Sequence, residues 1–311
     1  MPTIRSPHSP RVAAATVTVL AALAALGGCG STQAGDPVTS APAETVTSAP
    51  AVTTEAPTTA TGSFRSVADI QAAGSIKIGV FSDKAPFGSV DANGDYTGYD
   101  IEYGNRIGQD LGVTVEYVPV EAASRVSFLE TGKVDLILAN FTVTAERAEK
   151  VDFLNPYMKV ALGVASPEAA PITDIAQLAG KKVIVVKGTT AETYLAANYP
   201  DFDVTKYEQY TEATSALLDG RGDAWVTDNT EALAWTKANP GFTTGITSLG
   251  PADTIAGAVQ KGNKDLLDWL NAELVTLGAE NFFHQDFELT LEPVYGDVVD
   301  PDELVVEGGQ V

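Results

Sequence analysis

Between residues 76 and 138 short β-rich runs alternate with helical patterns. Ile76-Lys77-Ile78-Gly79-Val80 is followed by a helical stretch over 99–111, then Val113-Thr114-Val115-Glu116-Tyr117-Val118, a second helical stretch over 125–130, and Val134-Asp135-Leu136-Ile137-Leu138. Strand, helix, strand, helix, strand implies a parallel sheet covered by helices. The alternation starts again after Pro171: a short helix over 172–178, strand Val183-Ile184-Val185-Val186, helix 192–198, strand Asp203-Val204-Thr205-Lys206-Tyr207, helix 212–218 and strand Ala224-Trp225-Val226. The chain is therefore predicted to be α/β, with two lobes.

An internal echo supports two copies of one unit. Leu129, Gly132 and Asp135 recur at the same spacing as Leu217, Gly220 and Asp223. In each copy a helix should end at a glycine in the left-handed conformation before a strand begins. Five residues beyond the aspartates stand Asn140 and Asp228, and seven beyond stand Thr142 and Thr230. Ligands of open α/β sheets bind outside the carboxyl ends of the strands, where these residues fall. Any α/β protein can repeat such a unit, so the echo alone names no ligand. Farther on, Leu266, Leu267, Leu270, Leu274 and Leu277 share one face of a helix expected over 264–279, and with Trp269 they read as core.

The amino end sets the compartment. Arg5 and Arg11 precede a small, apolar run over 12–26 that ends in Leu26-Gly27-Gly28-Cys29. That run is shorter than the roughly 20 residues a spanning helix needs; residues 1–28 read as a lipoprotein signal peptide, with Cys29 as the acylated residue. Cys29 is the only cysteine, so no intramolecular disulfide can form. Removing 1–28 deletes two arginines and no acid, taking the net charge from -22 to about -24. Such a surface repels nucleic acid and keeps an exported protein soluble, without specifying the ligand. Residues 29–63, rich in Thr, Ala and Pro, bury too little apolar surface to fold and read as a disordered tether. The folded body is expected from 64, and residues 297–311 read as an acidic tail without an interpretable motif.

In order along the body come Gly98-Tyr99-Asp100-Ile101-Glu102, Leu129-Glu130-Thr131-Gly132-Lys133-Val134-Asp135, Asn140-Phe141-Thr142-Val143-Thr144-Ala145-Glu146-Arg147, Val151-Asp152-Phe153-Leu154-Asn155-Pro156-Tyr157, Lys187-Gly188-Thr189-Thr190-Ala191-Glu192 and Gly222-Asp223-Ala224-Trp225-Val226-Thr227-Asp228. In this set the chain, over about 75–295, resembles the polar amino acid solute-binding proteins of ABC importers. Ala139-Asn140-Phe141-Thr142, Lys187-Gly188-Thr189-Thr190 and the ending Val306-Glu307-Gly308-Gly309 look most like cysteine-binding members, with acidic amino acid binders next. The resemblance implies the type II periplasmic-binding fold, with a ligand cleft between two lobes joined by hinge strands near 162–165 and 255–259. Lobe 1 would be 64–163 plus 257–296, and lobe 2 would be 164–256. It further implies a small amino acid as ligand, a permease and ATPase complex as partner, an extracytoplasmic location and a membrane anchor through Cys29.

The chemistry of such a ligand agrees with what the resemblance implies for named residues. Arg147 offers a planar, two-pronged donor to an α-carboxylate. Thr189 and Thr190 open a helix whose unpaired N–H groups suit the same anion. Asp228 matches the aspartate that receives the α-ammonium, with the Asn140 carbonyl and Thr142 hydroxyl as further acceptors. By residue type alone Arg147 reads equally well as a solvated helix residue, Asp228 as a helix cap, and Thr189 and Thr190 as caps. Lys84 and Ala122 stand where family members carry aromatic clamps, which disfavours apolar or large aromatic ligands. Arg125, ten residues before Asp135, matches the arginine that acidic amino acid binders aim at the side-chain carboxylate, but Phe81 replaces their usual lysine. Lys84 and Arg125 also read as ordinary surface residues. A small, polar or partly anionic side chain fits best, cysteine first.

Two other classes use the same cleft: a sensor module that reports closure to another protein, and a dehydratase-type enzyme. The mature chain's one histidine, His284, has no Gly-x-Ser-x-Gly elbow to serve, and there is no clustered His/Cys set. No catalytic residue, cofactor or metal is expected.

Overall fold

The computed structural model describes residues 64–310. The signal peptide, Cys29 and the tether therefore lie outside the described residues. Two five-stranded sheets organise the body. The first runs Thr114–Pro119, Ser75–Val80, Leu136–Ile137, Ala258–Gln260, Val151–Phe153, and the second Asp203–Tyr207, Lys182–Val186, Ala224–Asp228, Met158–Pro167, Phe242–Ile255. In each, the first three strands are parallel, as the strand–helix alternation requires. The last two are antiparallel to their neighbours, so both sheets are mixed rather than purely parallel. The antiparallel strands are those by which the chain leaves one sheet and returns to it.

Alternation puts Ile76, Ile78 and Val80 beneath the helix Tyr99–Leu111, with Tyr103 and Ile107. Val183, Val185 and Val226 pack with Leu178 and Leu195 in the second lobe. Each such aliphatic side chain contributes about 1.5–3 kcal/mol when fully buried. A further cluster draws on both sheets, joining Phe81, Phe141 and Ile137 to Ile184, Tyr210 and Trp225. The lobes are thus closed on one another across shared apolar surface.

The echo is structural. Gly132 and Gly220 both adopt positive φ, 66° and 68°, and their N–H groups donate to Leu129 and Leu217. Asp135 accepts from the Lys77 N–H at 2.8 Å, and Asp223 from the Lys182 N–H at 2.8 Å. In both units the aspartate thereby pins the start of its strand to the one beside it.

Two expectations need correction. Residues 162–165 lie inside the second sheet, paired with the strand Ala224–Asp228, rather than at the crossing. The segments that pass between sheets are 154–160 and 253–257, which pair with each other through Met158 and Ile255 and through Lys159 and Thr254. The strand Met158–Pro167 is one uninterrupted element, so no turn residue marks the crossing. The segment 297–311, expected to be a tail, packs onto the body over its described part. Leu304, Val305 and Val306 are buried, Val305 bridges Met158, and the Val306 N–H donates to Tyr157 at 3.0 Å. Its acidic residues hid this short apolar run. Glu307 and Asp302 also hold His284, at 2.9 and 3.1 Å from its two ring nitrogens.

Candidate ligand-binding site

Asn140 leaves the carboxyl end of Leu136–Ile137 with φ 42°, in the left-handed region that asparagine tolerates better than most residues. Its N–H donates to Asp100 at 2.7 Å, and the Tyr157 hydroxyl donates to the other oxygen of Asp100 at 2.5 Å. Burial pushes the Asp100 carboxyl up to about 6 against the pull of those two bonds. Asp100 is itself placed by Gly98, where φ is 125° and a Cβ would stand 2.4 Å from the Phe87 carbonyl oxygen. The sequence motif around Asp100 thus serves to orient Asn140. The Asn140 side-chain oxygen accepts from Lys84 at 2.7 Å, while its Nδ2 is buried without a hydrogen-bond partner among the described residues.

Asp228 ends the strand Ala224–Asp228 and precedes the helix Asn229–Ala238, yet its side chain makes no capping bond. It accepts instead from Lys84 at 2.7 Å, across the cleft. Lys84, from the short strand Asp83–Lys84, is 1% exposed, so its reading as a surface residue is overturned. Burial opposes its charge, but Asp228 and then Glu231 outweigh that and hold the ammonium's pKa above its ordinary value. Glu231, unanticipated, lies 3.5 Å from the Lys84 ammonium and accepts from the Thr227 hydroxyl at 2.6 Å. Burial pushes its carboxyl up to about 7 against the pull of Lys84.

Arg147 folds back from the turn Ala145–Ala148, which Thr144 caps, and donates to the Thr142 carbonyl at 2.6 Å and the Gly188 carbonyl at 2.9 Å. Arg125, 2% exposed, donates to the carbonyls of Ala122 and Ala139 at 3.0 Å, of Asn140 at 3.3 Å and of Gly188 at 3.0 Å. Both guanidiniums lie over the Phe141 ring, at 4.3 Å for Arg125 and 4.8 Å for Arg147. Gly188 is where the two lobes' backbones touch: φ is 73° and a Cβ would stand 2.4 Å from the Ala123 Cα. Among the described residues neither arginine has a carboxylate within ion-pair distance. Burial, then the charge of Arg125 beside it, pushes the Arg147 guanidinium down to about 9.

Arg125, Arg147, Asn140, Lys84 and Asp228 therefore converge, and Thr142 joins them through its carbonyl. Thr189 caps the helix Thr190–Asn198, accepting from the Glu192 N–H at 3.3 Å. Thr190 lines a separate groove of about 310 Å³ with Thr144, Tyr194 and Asp253. Sequence reasoning missed Glu231, three residues past Asp228 on the same helix face, although that spacing was readable. It also missed Tyr210 and Asp83. Asp83 accepts from the Tyr210 and Thr211 N–H groups at 2.9 and 3.2 Å, capping a helix of the other lobe, and no local pattern announces such a contact. Among the described residues no three His, Cys, Asp or Glu side chains gather as metal ligands.

Two mixed sheets facing one another across a buried, charged site define a two-lobed binding fold. The chain belongs to the bacterial extracellular solute-binding proteins, family 3, whose family model matches residues 76–285. The solute receptor for L-cysteine of Neisseria gonorrhoeae is 51% identical, with 78% of this chain and 100% of that one covered and a TM-score of 0.77. The cysteine-binding protein of Campylobacter jejuni is 49% identical over 78% of this chain and 98% of its own, also with a TM-score of 0.77. A glutamine-binding ABC transporter protein of Bacillus subtilis is 29% identical over 68% of this chain and 80% of its own. Proteins of this family bind solutes, and this chain is a binding protein rather than an enzyme.

Proposed function

We propose that this protein captures L-cysteine for an ABC importer, closing its lobes around the amino acid and delivering it to a permease and ATPase complex. One observation carries the amino acid reading: the buried guanidinium of Arg125 and the half-buried one of Arg147 share the Gly188 carbonyl, and among the described residues neither has a carboxylate within ion-pair distance. An α-carboxylate would take Arg147 as its counter-charge, with the N–H groups that follow Thr189 on the facing lobe. At an effective dielectric of about 20, an anion about 4 Å from the guanidinium gains about 4 kcal/mol before desolvation is counted. Asp228 takes the α-ammonium, with Asn140 and Thr142 around it, and the unpartnered Asn140 Nδ2 is a spare donor for the ligand. The rings of Phe81 and Tyr210, 5.1 Å apart, crowd the cleft around Lys84, which favours a short side chain. The two cysteine-binding structures at about half identity support cysteine in particular.

Closure brings the Asp83 cap, Lys84 and both arginines into contact with the opposite lobe, so binding and closure are one event. The lobes in this reading divide where the chain crosses between sheets. Acylation of Cys29 would hold the protein at the membrane; a Cys29→Ser variant recovered in the membrane fraction would refute that anchor.

Thermal unfolding against a panel of amino acids tests the function. L-cysteine at 100 times its dissociation constant should add about 2.7 kcal/mol of stability. Serine and the acidic amino acids should add less. No stabilisation by any amino acid would overturn the reading.

A further inference from the structure

Lys84 presents one ammonium to two carboxylates. It donates to Asp228 and Asn140, both at 2.7 Å, and lies 3.5 Å from Glu231, within ion-pair range but beyond a good hydrogen bond. The rings of Tyr210, Phe81 and Phe87 surround it at 4.7, 5.6 and 5.6 Å, which keeps water off and confines the ammonium to this small space. Glu231 is 3% exposed and stands one turn after Asp228, its Oε2 fixed by the Thr227 hydroxyl. Buried carboxylates are kept ionised by paired cations, and here the second carboxylate has only the distant side of a cation that belongs to the first.

We propose that Glu231 is the receiving position for Lys84: when the α-ammonium of the amino acid takes Asp228, Lys84 transfers its ion pair to Glu231. Lys84 stands on Asp228 at 2.7 Å, where the ligand's ammonium would. With ligand bound, two cations share two carboxylates and neither is left unpaired. Glu231 is a positioning residue that never touches the ligand, and it sets affinity by deciding whether Lys84 competes for Asp228. The inference rests on Asp228 being the ammonium site.

Calorimetry with L-cysteine at about pH 8 on Glu231→Gln, Lys84→Met and the double variant tests it. Glu231→Gln keeps the shape and the Thr227 bond but removes the receiving charge, so affinity should fall about tenfold or more. Adding Lys84→Met to that variant removes the competitor and should restore most of the loss. Lys84→Met alone removes the competitor for Asp228 and should tighten binding several-fold, and this arm decides the matter if Glu231→Gln does not fold. An unchanged affinity in Glu231→Gln, a double variant no tighter than Glu231→Gln, or an unchanged or weaker affinity in Lys84→Met alone would overturn the proposal. Asp228→Asn retaining full affinity would instead overturn the ammonium site beneath it, and wild-type protein that binds no amino acid would overturn the functional reading.

Discussion

Arg125→Ala separates what the sequence implies from what the structure implies. By family resemblance Arg125 faces the ligand's side chain, so its loss should reorder preference among cysteine, serine, aspartate and glutamate. In the structure its Nε and both terminal nitrogens are engaged by four backbone carbonyls, of Ala122, Ala139, Asn140 and Gly188, and its plane lies 4.3 Å over Phe141. Hydrogen bonds from a charged donor contribute about 1.5–3 kcal/mol each, and carbonyls left buried without a donor cost about 1–3 kcal/mol. Against this stands the relief of releasing a fully buried cation whose pKa burial already lowers. A net loss of about 3 kcal/mol follows, and at 2–4 °C per kcal/mol the ligand-free midpoint should drop by about 6–12 °C. Affinity should fall for all four amino acids together, because the Gly188 bond that ties the lobes is lost whichever ligand is present. Arg125→Lys keeps the charge without the planar fork and should recover less than about half of the stability. Circular dichroism melts without ligand, paired with calorimetry on the four amino acids, make the measurement. An unchanged ligand-free midpoint with a reordered preference would refute this reasoning and return Arg125 to the selectivity role.

Three further outcomes are expected. Arg147→Ala should weaken every amino acid about tenfold or more, and Asp228→Asn likewise, since each faces a group all amino acids carry; calorimetry showing a loss confined to one ligand would contradict both assignments. Gly188→Ala places a Cβ 2.4 Å from the Ala123 Cα at a position of positive φ, so saturating ligand should no longer compact the protein in X-ray scattering and affinity should fall about tenfold; normal compaction would show that this backbone contact is dispensable. Burial lowers the His284 pKa, but bonds to Glu307 and Asp302 outweigh it and raise the net value. The clamp on residues 302–307 therefore contributes fully below about pH 6.5 and is lost as pH rises through the raised value, so urea midpoints of wild type should fall toward those of His284→Gln as pH rises above about 6.5.

The two-lobed α/β architecture was legible because its signals are local. β-branched runs, helical periodicity and the repeated Leu–Gly–Asp spacing each act within a few residues, and Asp135 and Asp223 pin their strands as that spacing suggests. Asn140 and Asp228 were placed at strand ends by the same logic. The family resemblance also singled out Lys84, Arg125 and Arg147, but not what they touch. Lys84 read equally well as a cleft residue or a solvated one, because burial of a lysine depends on carboxylates 144 and 147 positions away meeting it from the other lobe. Asp83 and Tyr210 escaped notice for the same reason, and the buried valines of the last segment were hidden by acidic neighbours that face solvent. The sequence alone determined which elements form and which residues stand at their ends, since propensity and hydrophobic period are properties of short windows. Only the tertiary structure decided which charges share the cleft, because the pairing of Lys84 with Asp228 and of both arginines with Gly188 exists only when the two lobes close on each other.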